Sequence, residues 1–228
     1  MSVKRAPEPV SFDADVRTPG NRALDELLGK LPAKRRAGRP RESAGEYSAE
    51  TDIPASKLPP FWTAALPGLC QGYNHTCAYL GLRIDGATGT TTVDHFIHKA
   101  SDRRKAYEWD NLRLASHRVN TFKGVWAVLD PFTIGDGWFE LDLFSHEVVA
   151  NKELSASQRS AVEDTIKRLR LNDDGFVWTR SQLTRRYRGF SFEDGEPTTP
   201  WSLADLKYFA PFIAHELRRQ GQLNPGDA

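Results

Sequence analysis

Thr92-Val93-Asp94-His95-Phe96 is the stretch on which the reading of this 228-residue chain turns. A β-branched run ends in an adjacent carboxylate and imidazole. Neighbouring side chains on a strand leave opposite faces, so both reach one point only at a strand end or a bulge. Asn111 and Asn120 follow Asp94 by 17 and 26 residues, and Asn120-Thr121-Phe122-Lys123-Gly124 closes the segment. A carboxylate, an imidazole and two carboxamides can hold one divalent ion and activate one water. Phosphodiester hydrolysis asks for that much: a base, a counter-charge for the phosphate, and a frame that keeps them in register. His95 suits the base because an imidazole titrates near neutrality. Asp94 suits a hard ion such as Mg²⁺, which prefers oxygen, and Asn120 can add a carboxamide oxygen. Asn111 precedes the predicted helix, where an asparagine can fix the loop by bonding backbone groups. It is expected to orient His95.

Working outward, Leu80-Gly81-Leu82-Arg83-Ile84 alternates and predicts a strand, and residues 85–89 carry turn chemistry. Residues 90–95 predict the second strand, 98–110 a polar loop, and 112–123 a helix. Downstream, 138–143 and 147–150 predict a hairpin. Ser155-Ala156-Ser157-Gln158 opens a helix to about Leu169, and a last helix runs from near Ser202 to Arg219 with a kink at Pro211. Residues 58–70 predict a short helix bounded by prolines. Residues 1–57 are rich in Pro, Gly, Ala and charge, with one helical pattern at 21–28 stopped by Gly29 and a basic run of Lys34, Arg35, Arg36, Arg39 and Arg41. The expected organisation is a flexible basic arm over 1–57 and one domain over 58–228. That domain would hold a core at about 70–125 and a helical extension over 126–228. The fold class is α+β.

Composition sets the bounds. A hydrophobic fraction of 39% with six Trp and twelve Phe is enough for a core. The formal net charge is +1, so nucleic-acid affinity has to come from local clustering. Two cysteines, Cys70 and Cys77, exclude a disulfide-stapled scaffold and suggest a reducing compartment. Met1–Pro9 has no apolar core of a signal peptide, and no run of 18 apolar residues occurs. The expectation is a soluble cytoplasmic protein with no membrane partner.

Asp94-His95, Asn111-Leu112, and Asn120 with Lys123-Gly124 resemble the HNH, or ββα-metal, endonuclease motif. The likeness covers about fifty residues, with Thr92–Ser101 and Trp109–Ala115 as its fixed segments. The resemblance implies a ββα-metal core embedded in a mostly helical domain with an additional β-hairpin. It implies that Asp94 and Asn120 ligate Mg²⁺ or Mn²⁺, that His95 activates water, and that Asn111 holds the loop. Many members of the family carry two Cys-x-x-Cys knuckles around a structural zinc. Here the first reads Cys77-Ala78-Tyr79-Leu80 and the second Ser116-His117-Arg118-Val119, so a tetrahedral zinc is not expected. Leu80 and Val119 should pack as apolar residues, and Cys77 should be a small buried hydrophobe. Val128–Phe132 and Thr165–Asn172 are similar to the HNH subunit of Septu and retron-linked anti-phage systems, which acts beside an ABC-type ATPase.

Lys99, Arg103, Arg104, Lys105, Arg113, Arg118 and Lys123 crowd the motif and are the expected phosphate contacts. His98 and His117 lie close enough in sequence to support the site from behind. Arg180, Arg185, Arg186 and Arg188, with Trp178 and Tyr187, are open to a nucleic-acid or a partner role. Phe96, Trp109 and Phe122 should form the small core of the motif. The function expected is a metal-dependent DNA endonuclease in defence against foreign DNA. The competing readings are a catalytically idle adaptor that binds nucleic acid or a partner, and an RNA-cleaving toxin on the same scaffold. Oligomeric state is not legible.

Overall fold

The computed structural model describes residues 3–34, 45–85, 89–192 and 196–227. Arg35, Arg36, Arg39 and Arg41 of the basic run, and most of the 85–89 turn, lie outside these. The chain forms two compact bodies. One, the motif body, comprises Ala6–Gly72 and Thr92–Leu114. The other, the helical body, comprises residues 1–5, Tyr73–Thr91 and Ala115–Ala228.

In the motif body a π-helical turn, Asp13–Arg17, continues into α1 (Thr18–Leu27). Phe12, Val16, Ala23, Leu24 and Leu27 recur at helical spacing and are buried. The expected boundary at 57/58 is therefore corrected. The Pro-rich, charged composition of the N-terminal segment masks an apolar stripe that supplies core. Trp109 meets Phe12 edge-on, with ring centroids 5.4 Å apart, and its Nε1 donates to the Ala6 carbonyl at 3.0 Å. Tyr107 lies so close to Gly20 that a Cβ there would sit 2.2 Å from its ring, and its hydroxyl donates to the Pro59 carbonyl. A 3-10 turn at Phe61–Ala65 leads into α2 (Leu66–Gly72), where the prolines predicted a helix.

β1 (Thr91–His95) pairs with β2 (Leu112–Ser116) in a two-stranded sheet. The Phe96 amide, just past β1, donates to the Asn111 carbonyl, just before β2, at 2.9 Å, so the strands run antiparallel. Between them, 3-10 turns at Arg104–Tyr107 and Trp109–Asn111 shape the loop. Two expectations are corrected. Residues 112–116 form a strand buried along its whole length, and the helix starts only at α3 (His117–Lys123). Residues 80–84 form no ladder; one bridge, Thr76 to Arg83, occurs there. The order is strand, loop, strand, helix.

In the helical body, α3 is capped by Ser116, whose hydroxyl accepts from the Val119 amide. The predicted hairpin forms: β3 (Phe139–Leu141) pairs antiparallel with β4 (Val148–Ala150), with Phe139 opposite Ala150. α4 (Ala156–Leu169) opens with a Ser155–Gln158 capping box. α5 (Asp174–Tyr187) follows from Asp173 as N-cap. The predicted last helix is two, α6 (Leu203–Phe209) and α7 (Pro211–Arg219). Pro211 forces Ala210 out of helical backbone and then starts the next helix at its first position. The core includes Val162, Leu169, Phe176, Tyr187, Leu206, Ile213 and Leu217. No helix among the described residues is long and apolar enough to cross a membrane.

Candidate active site

Asp94 and His95 close β1, and both are buried, at 2% and 7% exposure. His95 Nε2 lies 3.2 Å from the Ala106 carbonyl oxygen. A carbonyl can only accept, so Nε2 carries the proton and the lone pair of the neutral ring stays on Nδ1. Trp62 meets the imidazole edge-on, with centroids 4.9 Å apart and planes at 83°. The Ala106 carbonyl and the Trp62 ring both hold the imidazole in place.

Asn111 bonds backbone on both sides of the loop. Its Oδ1 accepts from the Ile97 amide at 2.7 Å, and its Nδ2 donates to the carbonyls of Ile97 and Lys105 at 3.0 and 2.8 Å. Ile97 lies two residues past His95, and Lys105 immediately precedes Ala106. One buried carboxamide therefore clasps the end of β1 to the turn whose carbonyl bonds His95.

The expected phosphate contacts are mostly engaged elsewhere. Arg103 donates to the carbonyls of Ile53, Ala100 and Thr51. Arg104 pairs with Asp25 at 2.9 Å and Glu50 at 2.7 Å, which holds its pKa above the ordinary arginine value against the opposing effect of burial. Arg113 is buried at 1% exposure, bonds the carbonyls of Asp110 and Leu112, and lies over the Phe96 ring. Lys105 reaches Asp110 only at 3.8 Å. Lys99 lies with Nζ 4.5 Å from the Trp62 ring centroid, and burial pushes its pKa down. His98 is half-buried, and its Nδ1 accepts from the Ala100 amide. Arg103, Arg104 and Arg113, expected at phosphates, thus hold carbonyls, carboxylates or a ring within the motif body.

The other expected residues lie on α3 of the helical body. Asn120 is half-buried and His117 exposed, with Nδ1 3.5 Å from the Thr121 hydroxyl. Arg118 is exposed, ion-paired with Asp173 and over the rings of Phe122 and Phe176. Lys123, also expected at a phosphate, is fully buried. Cys77, Leu80 and Val119 are all buried, and the Ser116 amide donates to Cys77 Sγ at 3.4 Å. The two segments in the knuckle positions thus meet through a thiol and an amide, with apolar packing beside them.

Among the described residues no group of three His, Cys, Asp or Glu side chains could cage a metal ion. The expected donor pair, Asp94 with Asn120, is a carboxylate and a carboxamide, and both offer the hard oxygen that Mg²⁺ or Mn²⁺ takes. Trp62 and the Ala106 carbonyl are what sequence reasoning missed. A backbone acceptor leaves no mark in the residue type, and Trp62 reads only as a core aromatic. No protein-family model matches the chain, and no curated protein matches it in sequence.

Proposed function

We propose that this chain is a metal-dependent endonuclease of the HNH kind acting on DNA. The observation that carries the reading is the His95 imidazole, proton-bearing on Nε2 toward the Ala106 carbonyl, at the end of a strand clasped by Asn111. On this reading Nδ1 of His95 is the base. It accepts a proton from water as the water oxygen attacks phosphorus, and the P–O bond to the leaving oxygen breaks. The Nε2–H bond to Ala106 then faces an imidazolium, which a carbonyl acceptor stabilises. Asp94 offers a carboxylate oxygen to the ion, and the resemblance gives Asn120 the companion role. A divalent ion, when bound, neutralises charge on the scissile phosphate. The chain order strand, loop, strand, helix supports the reading, as does the meeting of Cys77 with Ser116 where the family places its knuckles.

The internal engagement of Arg103, Arg104 and Arg113 favours a nuclease that receives DNA from a partner, in keeping with an ABC-type ATPase subunit in anti-phage defence. The test is cleavage of plasmid, linear DNA and RNA with Mg²⁺, with EDTA, and with Mn²⁺ restored, alone and with candidate ATPases. Expected is cutting of DNA that chelation abolishes and metal restores. Activity that survives thorough chelation overturns the mechanism, and cutting of RNA alone overturns the substrate.

A further inference from the structure

Two arginines at the C-terminal end of α5, Arg185 and Arg188, border an open groove of about 420 Å³ in the helical body. Its lining includes Thr184, Arg185, Arg188, His146, Phe190 and Leu217. Volumes of this order hold small organic ligands.

Three observations point to an occupant. The first is Thr184, which is 7% exposed and whose hydroxyl has no hydrogen-bond partner. Threonines within helices commonly donate back to the carbonyl four residues earlier, and Thr121 and Thr179 do so here, to His117 and Gly175. Thr184 forgoes that bond in a groove wall. The second is cationic. Arg185 is exposed and lies over the Phe190 ring at 6.0 Å, with no carboxylate pairing it among the described residues. Arg188, one turn on, is braced by the Asn224 side chain and the Gln222 carbonyl. The third is His146, a non-glycine residue with φ of 60° whose carbonyl is held by Nε of the buried Arg180 at 2.7 Å. Left-handed backbone at such a residue costs free energy, and such strain concentrates at binding sites.

We propose that this groove binds a nucleoside monophosphate unit, with Arg185 and the Thr184 hydroxyl on the phosphate and the exposed Phe190 ring against the base. Guanidinium with hydroxyl matches a phosphate's oxygens, and an aromatic face with apolar Leu217 beside it matches a base. The proposal is independent of the nuclease reading, since none of these residues belongs to the catalytic set. Free nucleotide and a nucleotide within a strand share this chemistry.

The test is calorimetric titration of the full chain with AMP, adenosine, inorganic phosphate and a 5′-phosphorylated oligo(dA). Expected is saturable binding of AMP, weakened about tenfold or more in Arg185→Gln, the scale of one charge-assisted pair. Thr184→Val should weaken binding while its Tm holds or rises, because a buried hydroxyl without a partner costs stability. A purely structural Thr184 would lose Tm instead, and that result counts against the proposal. AMP without the oligonucleotide assigns a free nucleotide, and the oligonucleotide without AMP assigns a strand. Binding of neither, or of adenosine as tightly as AMP, overturns the proposal and leaves the arginines as counter-charge to the C-terminus of α5.

Discussion

Removing the Asn111 carboxamide would strip hydrogen bonds from both limbs of the loop, at Ile97 and at Lys105, inside a site of 2% exposure. Buried amides and carbonyls left unpaired cost about 1–3 kcal/mol each. Asn111→Ala should therefore destabilise the protein by about 3 kcal/mol and abolish cleavage together; denaturant unfolding checks the first, and an unchanged midpoint contradicts the clasp. His146 offers a pH test at the same scale. Burial, reinforced by Arg180 and opposed by Asp142, holds its pKa below the ordinary 6.5. As pH falls through 6.5 the unfolded chain takes up the proton first, so stability declines on the acid side and the loss ends below the folded pKa. His146→Asn keeps a residue tolerant of left-handed backbone. Its stability should fall less between neutral and mildly acid pH; an unchanged acid limb in Tm against pH counts against this account.

At the scale of elements, what was legible depended on where the backbone hydrogen bonds go. The Ser155–Gln158 box and the Phe139–Ala150 hairpin are local devices, and both read directly from sequence. Residues 80–84 alternate as a strand does, and Leu80, Leu82 and Ile84 are indeed buried. Their backbone, however, is divided: Leu82 and Ile84 bond Cys77 and His75 across the Thr76–Arg83 bridge, while Arg83 donates to Phe209 and Phe212 donates to Gly81 at the junction of α6 and α7. Alternation reports burial but not a pairing partner. Leu112–Ser116 failed in the opposite sense, since a strand buried on both faces loses its alternation and resembles a helix in Leu and Ala. Asp94, His95 and Asn111 were legible because their side chains carry the chemistry, whereas the Ala106 acceptor was not. Glu216 is another contact beyond sequence reach. Fully buried, it accepts from the Leu141 amide at 3.1 Å and pairs with Arg219 at 2.8 Å, tying β3 to α7. Glu216→Ala should cost about 1–3 kcal/mol, because the buried Leu141 amide loses its acceptor while Arg219 keeps Glu140; a loss below about 0.5 kcal/mol in chemical unfolding contradicts that role.

For the whole molecule, charge is the discriminating quantity. The formal net charge is +1, and the arginines nearest the motif are tied to carbonyls and carboxylates. Few phosphates can then be neutralised directly, so affinity for DNA should fall only gently with salt. The expected slope of log K against log salt is about −2 to −3, and a slope near about −8 would contradict this expectation.

The most direct measurement is single-turnover plasmid cleavage in Mg²⁺ by the wild-type chain and by His95→Ala, at matched DNA occupancy and with the fold of both verified by circular dichroism. With Nδ1 of His95 as the base, the variant should lose activity by about 10²-fold or more while still binding DNA. Equal rates from the two proteins would contradict the account.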